Sequence, residues 1–164
     1  MAILMEKEIG IDRMIAANYD VFRALNDPIR GKIVELLNKK QLNAAQIPRK
    51  LKKFGYKKAV TTIRHHIEIL KDSGLIEITK IEESRGAITK YYGSSTKLLD
   101  FSLPSDFDEN YSKIISKTSL KLARVISPIL KNFPKTRKIQ QINYNNYIVM
   151  EIMNRSLTNL LEKK

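Results

Sequence analysis

The chain has 164 residues, 43% of them hydrophobic, which is enough for a packed core in one domain with or without an appendage. It has no cysteine, so disulfides and thiolate metal sites are excluded, and a reducing compartment is favoured. The N-terminus lacks the pattern of a signal peptide, and no stretch approaches the ~18 apolar residues of a membrane span. We therefore expect a cytoplasmic protein with no membrane contact.

The net charge of +13 is concentrated in one part of the chain. Residues 28–71 carry 12 basic and 2 acidic side chains, whereas residues 1–27 carry 3 basic and 5 acidic ones. Clustered positive charge favours a polyanionic partner, because each phosphate that is neutralised releases condensed counterions. A generally lysine-rich surface is the alternative explanation.

Two helices are predicted before residue 41. The first covers Asp12–Leu25. The second follows Asp27, a good N-cap, with Pro28 at the tolerated first helical position, and runs to about Lys40. Its inward face would consist of Ile29, Ile33, Leu36 and Leu37.

Two further helices are predicted next. Asn43 and Gln46 have the spacing of a capping box and predict a third helix over Ala44–Lys53. A fourth helix is predicted over Lys57–Asp72, because apolar residues recur there on one face. These residues are Val60, Ile63, Ile67 and Leu70.

A β-hairpin is predicted directly after the fourth helix. Gly74 suits the left-handed position that ends a helix, and β-branched and aromatic residues lie on both sides of a charged turn, Glu82–Ala87. A helix with a basic outer face followed by a hairpin is the layout of a winged helix. We therefore expect a mainly α fold with a small antiparallel β-hairpin wing in residues 1–93, with its core in residues 12–93.

The rest of the chain predicts a connector and two long helices. Residues 94–108 are polar and contain a proline, although Leu98, Leu99 and Phe101 are expected to pack on a neighbouring element. Residues 109–164 carry apolar residues at helical spacing, interrupted after Lys131. Two helices cannot bury both apolar stripes on each other, so we expect a C-terminal region that forms a homodimer. Packing onto the chain's own first helix is the alternative.

Two motifs resemble the ArsR-type winged helix-turn-helix regulators. Residues 24–30, ALNDPIR, followed by IVELL at 33–37, are similar to the family's opening signature. Residues 62–76, TIRHHIEILKDSGLI, are similar to its recognition helix and first wing strand. The resemblance covers about residues 24–93, is closest to the archaeal branch, and implies DNA binding. It leaves the effector unknown, and without cysteines it does not imply metal sensing.

Eight basic or polar side chains are the candidate DNA contacts. A helix in the major groove presents side chains to base edges and phosphates, and a wing can place an arginine in the minor groove. The candidates are Lys53, Lys57, Lys58, Thr61, Thr62, Arg64, His65 and Arg85. Solvated helix surface is the alternative explanation for the same residues.

Three other features of the sequence bear on function. His65 and His66 are adjacent on a helix, so they cannot easily bind one ion, and we predict no metal site and no cofactor. His66 is expected to be packed and to form a hydrogen bond in the core. No phosphate-binding loop or nucleophile elbow is present, and we predict no enzyme. A basic stripe, Lys113, Lys117, Lys121 and Arg124, is either a solvated face or a contact with the DNA backbone.

The sequence therefore predicts a sequence-specific regulator of transcription that binds double-stranded DNA. It would act as a homodimer that inserts the helix Lys57–Asp72 into the major groove. One alternative is an architectural chromatin protein with little sequence preference. The other is a winged helix used for protein–protein contact.

Overall fold

The computed structural model describes residues 17–99, 101–135 and 137–162. It divides into two compact units, one of Ala17–Phe101 and a second that includes the described residues from Ser102 onward. The predicted fold class is confirmed, since the chain is mainly helical with one small antiparallel sheet after the helix-turn-helix. Within the described ranges, no helix combines the length and apolar character needed to cross a membrane.

The first unit contains four helices and a three-stranded sheet. The helices are α1 (Tyr19–Leu25), α2 (Pro28–Leu37), α3 (Gln46–Leu51) and α4 (Val60–Asp72). The strands are β1 (Leu42–Asn43), β2 (Glu77–Ser84) and β3 (Ala87–Gly93), in the antiparallel order β1-β3-β2. The fully buried side chains of the core are Ala24, Ile33, Val34, Leu37, Ile47, Leu51, Ile63, Ile67 and Leu70.

The junction between α1 and α2 is stabilised by Asp27 and Arg30. The Asp27 carboxylate accepts a hydrogen bond of 2.8 Å from the backbone N–H of Ile29, which confirms the predicted N-cap of α2. The Arg30 guanidinium reaches back to the end of α1 and donates to the carbonyl oxygens of Ala24 and Arg23. Both helix ends at this junction are therefore satisfied by charged side chains.

The first two helices are shorter than predicted. Part of the predicted helix Asp12–Leu25 lies outside the described residues, and within them α1 begins only at Tyr19, because Asn18 is extended and caps it. The end predicted near Lys40 is wrong, since α2 ends at Leu37. The chain then turns toward the sheet, and the Leu37 carbonyl accepts from the backbone of Ser94 at 3.0 Å.

The third helix begins with the predicted capping box. The Asn43 side chain accepts from the N–H groups of Ala45 and Gln46 at 3.0 and 2.9 Å, and the Gln46 side chain accepts from the Asn43 N–H at 3.0 Å. The start at Ala44 and the end at Lys53 are wrong. Asn43 belongs to β1, a strand that was not predicted, and the chain tightens into a 3-10 turn after Leu51.

The fourth helix begins later than predicted. Ala59 has an extended backbone and is its N-cap, so α4 starts at Val60 rather than at Lys57. The predicted contacts Lys57 and Lys58 therefore lie in the segment before the helix and not on its outer face.

The wing has longer strands and a tighter turn than predicted. Ser84 pairs with Ala87, so the turn is the two residues Arg85-Gly86 and not Glu82–Ala87. Tyr92 is buried at the base of the hairpin. Ile81 and Ile88 are 60% and 68% exposed, because the outer half of the hairpin extends beyond the helical core.

The second unit contains two long helices, α5 (Phe107–Lys131) and α6 (Ile139–Leu161), which contact each other. The predicted start of α5 at Glu109 is two residues late, and Pro128 is accommodated inside the helix. No described residue of α5 is buried, and Val149 is the buried apolar residue of α6.

In the connector Leu98 packs on the core of the first unit, whereas the predicted packing of Leu99 and Phe101 is wrong, since both are exposed.

Candidate nucleic-acid interface

The outer face of α4 changes in chemistry along the helix. Its inner face packs into the core through Ile63, His66, Ile67 and Leu70. In the first two turns the exposed side chains are Val60, Thr61, Arg64 and His65, and none of them is acidic. The last turns expose Glu68 and Asp72. A recognition helix contacts base edges with its N-terminal residues, so the acid-free half is the half suited to a phosphate-lined groove.

Thr62 does not share that outer face. Its side chain is half-buried at the flank of α4, next to the core residue Ile63. Thr61 and His65 lie four residues apart and project on the same side of the helix. The structure therefore brings Thr61, Arg64 and His65 together and sets Thr62 at their edge.

A basic groove lies beside the N-terminus of α4. It encloses about 460 Å³ and is lined by Pro48, Arg49, Lys52, Lys57, Lys58 and Ala59. Ala59 has no side chain that could cap α4. Among the described residues, no side chain accepts a hydrogen bond from the first N–H groups of α4, at the positive end of the helix dipole. Four cationic side chains and a helix N-terminus together suit a phosphate group.

Arg49 and Lys52 of this groove were missed by reasoning from the sequence. Their spacing of three residues places them on one side of the α3 segment, and the clustered charge of residues 28–71 could have drawn attention to them. The predicted contact Lys53 is exposed in the 3-10 turn and does not line the groove.

The wing carries Arg85 at its tip, exposed to solvent. Its acidic neighbour Glu82 forms an ion pair with Lys80. Hydrogen bonds from Lys80, and secondly from Tyr91, lower the pKa of the Glu82 carboxyl and stabilise its charged form. Lys80 offsets much of the repulsion that Glu82 would exert on a phosphate, whereas Glu83 stays exposed near Arg85.

His66 is packed as expected but lacks the expected hydrogen bond at one nitrogen. Its side chain is 7% exposed, and its Nδ1 atom is buried with no partner among the described residues. Burial lowers the pKa of the imidazole, the carboxylate of Asp27 opposes this, and electrostatic interactions with Arg30, His65 and Lys58 lower the pKa further. Across the described ranges, no three side chains of metal-binding type come together.

The segment that carries α4 and the basic groove matches a known protein family. Residues 27–77 match the family described as bacterial regulatory protein, arsR family. The matched segment runs from the N-cap of α2 to the first residue of β2 and covers roughly a third of the chain. No curated protein matches the sequence. Residues 27–77 thus form a helix-turn-helix domain of the arsR family of regulatory proteins.

Proposed function

We propose that the protein is a sequence-specific, double-stranded DNA-binding regulator of transcription that acts in the cytoplasm. The observation that carries the proposal is the acid-free face of Thr61, Arg64 and His65, which lies beside the basic groove in a regulator-type helix-turn-helix. Base-edge donors and acceptors next to phosphate-binding cations are what major-groove recognition requires.

The contacts divide into two groups with different effects. Thr61 and His65 read base edges, while Arg64 contacts a guanine or a neighbouring phosphate. Arg49, Lys52, Lys57 and Lys58 hold the phosphate backbone near the N-terminus of α4, and Lys53 adds charge nearby. Thr62 contributes from the flank of α4, and Arg85 enters the minor groove from the wing.

The active form in this proposal is a homodimer that forms through α5 and α6. Both helices leave large apolar side chains in solvent, among them Ile114, Val125 and Tyr144. A second copy would bury these stripes and would supply a second recognition helix for a second half-site. The relation to archaeal regulators stays a prediction from the sequence, which leaves the effector unknown.

Fluorescence anisotropy with two labelled duplexes tests the proposal. One duplex carries the DNA upstream of the protein's own gene, and other candidate operators are tested afterwards in the same way. The second duplex is a scrambled sequence of equal composition. A specific regulator should prefer one natural duplex by ~10³-fold or more at moderate salt. Thr61→Ala and His65→Ala should reduce this preference, whereas Lys57→Gln with Lys58→Gln should weaken binding to both duplexes equally.

Two outcomes would contradict the proposal. Equal and strongly salt-dependent binding to every duplex would indicate an architectural protein. No binding to any duplex would indicate a winged helix that contacts another protein.

A further inference from the structure

Helix α5 carries a second cationic surface that the helix-turn-helix does not include. We call it the α5 basic stripe and define it as Lys113, Lys117, Lys121 and Arg124. All four side chains are exposed, and none forms an ion pair in the part of the chain that the structure describes. Their spacing of three and four residues places them on one side of the helix.

Three other cations on helices of the described chain pair with an acidic residue one turn away. Lys32 pairs with Glu35 at 2.8 Å, Lys71 with Glu68, and Arg155 with Glu151 at 2.8 Å. In the stripe Lys113, Lys117 and Lys121 follow one another at a spacing of four residues, and like-charge pairs at this spacing destabilise a helix, while Glu109 lies four residues before Lys113. No acidic residue occurs between Asn110 and Lys131. The stripe therefore repels itself until a polyanion is present.

The dimensions of the stripe match a nucleic-acid backbone. From Lys113 to Arg124 it extends about 16 Å at 1.5 Å per residue. Over that length a duplex presents roughly ten phosphate charges. At about 100° per residue, the exposed Ile115 lies nearly half a turn around the helix from the middle of the stripe, whereas Ile114 and Val125 lie only about a fifth of a turn from it. A partner helix seated on the Ile115 side would therefore leave the stripe accessible to a phosphate backbone.

We propose that the α5 basic stripe is a second contact surface for the sugar-phosphate backbone of duplex DNA. This inference rests on the proposed function, because it assigns a further contact to the same ligand. The stripe adds affinity without reading sequence, since it offers only cations to phosphates. It also makes the C-terminal unit a DNA-binding element as well as the proposed dimerisation element.

A pair of matched variants tests the inference. The stripe variant combines Lys113→Gln, Lys117→Gln and Lys121→Gln. The control variant combines Lys131→Gln, Lys135→Gln and Arg137→Gln, which removes the same charge from the same unit outside the stripe. Binding of both variants and the wild type to a labelled duplex of about 40 base pairs is measured by anisotropy at several salt concentrations, at protein levels where all three have the same oligomeric state.

We expect the stripe variant to bind about tenfold or more weakly at moderate salt, with a slope of log K against log salt that is smaller by about two to three. The control variant should stay close to the wild type. Glutamine removes the repulsion between lysines, so the thermal midpoint of the stripe variant, followed by circular dichroism, should not fall below that of the wild type.

Two other outcomes would overturn the inference. Equal affinities and slopes for the stripe and control variants, with a wild type that binds, would show that the stripe is a solvated face and would leave the proposed function intact. A wild type that binds no duplex would overturn the proposed function and the inference together.

Discussion

Arg85 occupies a backbone conformation that does not favour arginine. Arg85 and Gly86 have φ angles of 50° and 75°, and they are the two central residues of the wing turn. Turns with positive φ at both positions prefer Asn-Gly or Gly-Gly, and a larger side chain there costs about 1–2 kcal/mol. An arginine at this position is consistent with a role that a turn-forming residue could not fill.

Replacing Arg85 should therefore raise the stability of the fold and weaken its binding to DNA. Arg85→Asn should raise the free energy of unfolding by up to about 1 kcal/mol, because asparagine tolerates positive φ, and it should weaken DNA binding. Urea unfolding and anisotropy measure the two effects. Arg85→Lys is the control, since it keeps both the charge and the strained backbone. Unchanged DNA affinity in Arg85→Asn would show that the wing tip does not contact DNA.

His66 should make stability depend on pH. Burial lowers the pKa of its imidazole in the folded chain below the ordinary value of 6.5. The unfolded chain then binds a proton that the folded chain does not, so the free energy of unfolding should fall as the pH drops below about 6.5 toward the folded pKa.

A matched pair of histidine variants measures this effect by urea unfolding between pH 7.5 and 5. His66→Leu should lose less stability over this range than the wild type does, because it has no group to protonate. His65→Gln should keep most of the pH dependence of the wild type, because burial is the main cause of the lowered pKa of His66 and the interaction with His65 is a smaller one. A wild type and a His66→Leu variant with the same pH dependence would contradict this assignment.

At the scale of the elements, the α1–α2 junction depends on one guanidinium group. Arg30 donates to two carbonyl oxygens at the end of α1 and lies 3.6 Å from Asp27 at the start of α2. Arg30→Met should lower the free energy of unfolding by about 1.5–3 kcal/mol, because the carbonyl groups lose a charged donor. Arg23→Met, at an exposed position on α1, is the control. Equal losses in the two variants would show that the junction gains nothing from Arg30.

The element boundaries also show which features of the fold can be predicted from local sequence patterns. The caps at Asp27 and Asn43 are local hydrogen bonds between residues close in the chain, so their spacing predicted them. The start of α4 was predicted three residues early. The residues just before Val60 have no side chain that caps a helix, so the sequence held no signal for the position of the start. Strand β1 has only two residues and exists through pairing with β3, which no local pattern reports.

At the scale of the whole molecule, the exposed apolar faces of α5 and α6 should determine the oligomeric state. Ile114→Glu with Val125→Glu places two charges on the apolar stripe of α5 and should convert a dimer into a monomer. Weaker DNA binding should follow, because a monomer reaches one half-site. Sedimentation equilibrium measures the mass of the assembly, to which each chain contributes 18.9 kDa.

The control for that prediction is Ser112→Glu with Ser116→Glu, which adds the same charges to a polar side of α5. The control variant should remain a dimer. A wild type that sediments as a monomer at micromolar concentration would contradict the proposed dimer, and a double variant that stays dimeric would place the interface elsewhere.

The sequence by itself was enough to predict the fold class and the order of the six helices and the hairpin. Apolar periodicity, caps and turn residues act between neighbours in the chain, so the α4 pattern and the hairpin after it predicted a winged helix before any contact was known. ALNDPIR added a resemblance to a known family. Charge clustering pointed in the same way to a polyanionic partner.

Only the tertiary structure decided which candidate side chains lie together. Packing of α4 on the core half-buries Thr62 and leaves Thr61, Arg64 and His65 on one face. The approach of α3 to the segment before α4 brings Arg49 and Lys52 to Lys57 and Lys58, residues that no local pattern connects. Such neighbours come from contacts between separate elements, and the free energy of those contacts depends on the whole core rather than on any single stretch of sequence.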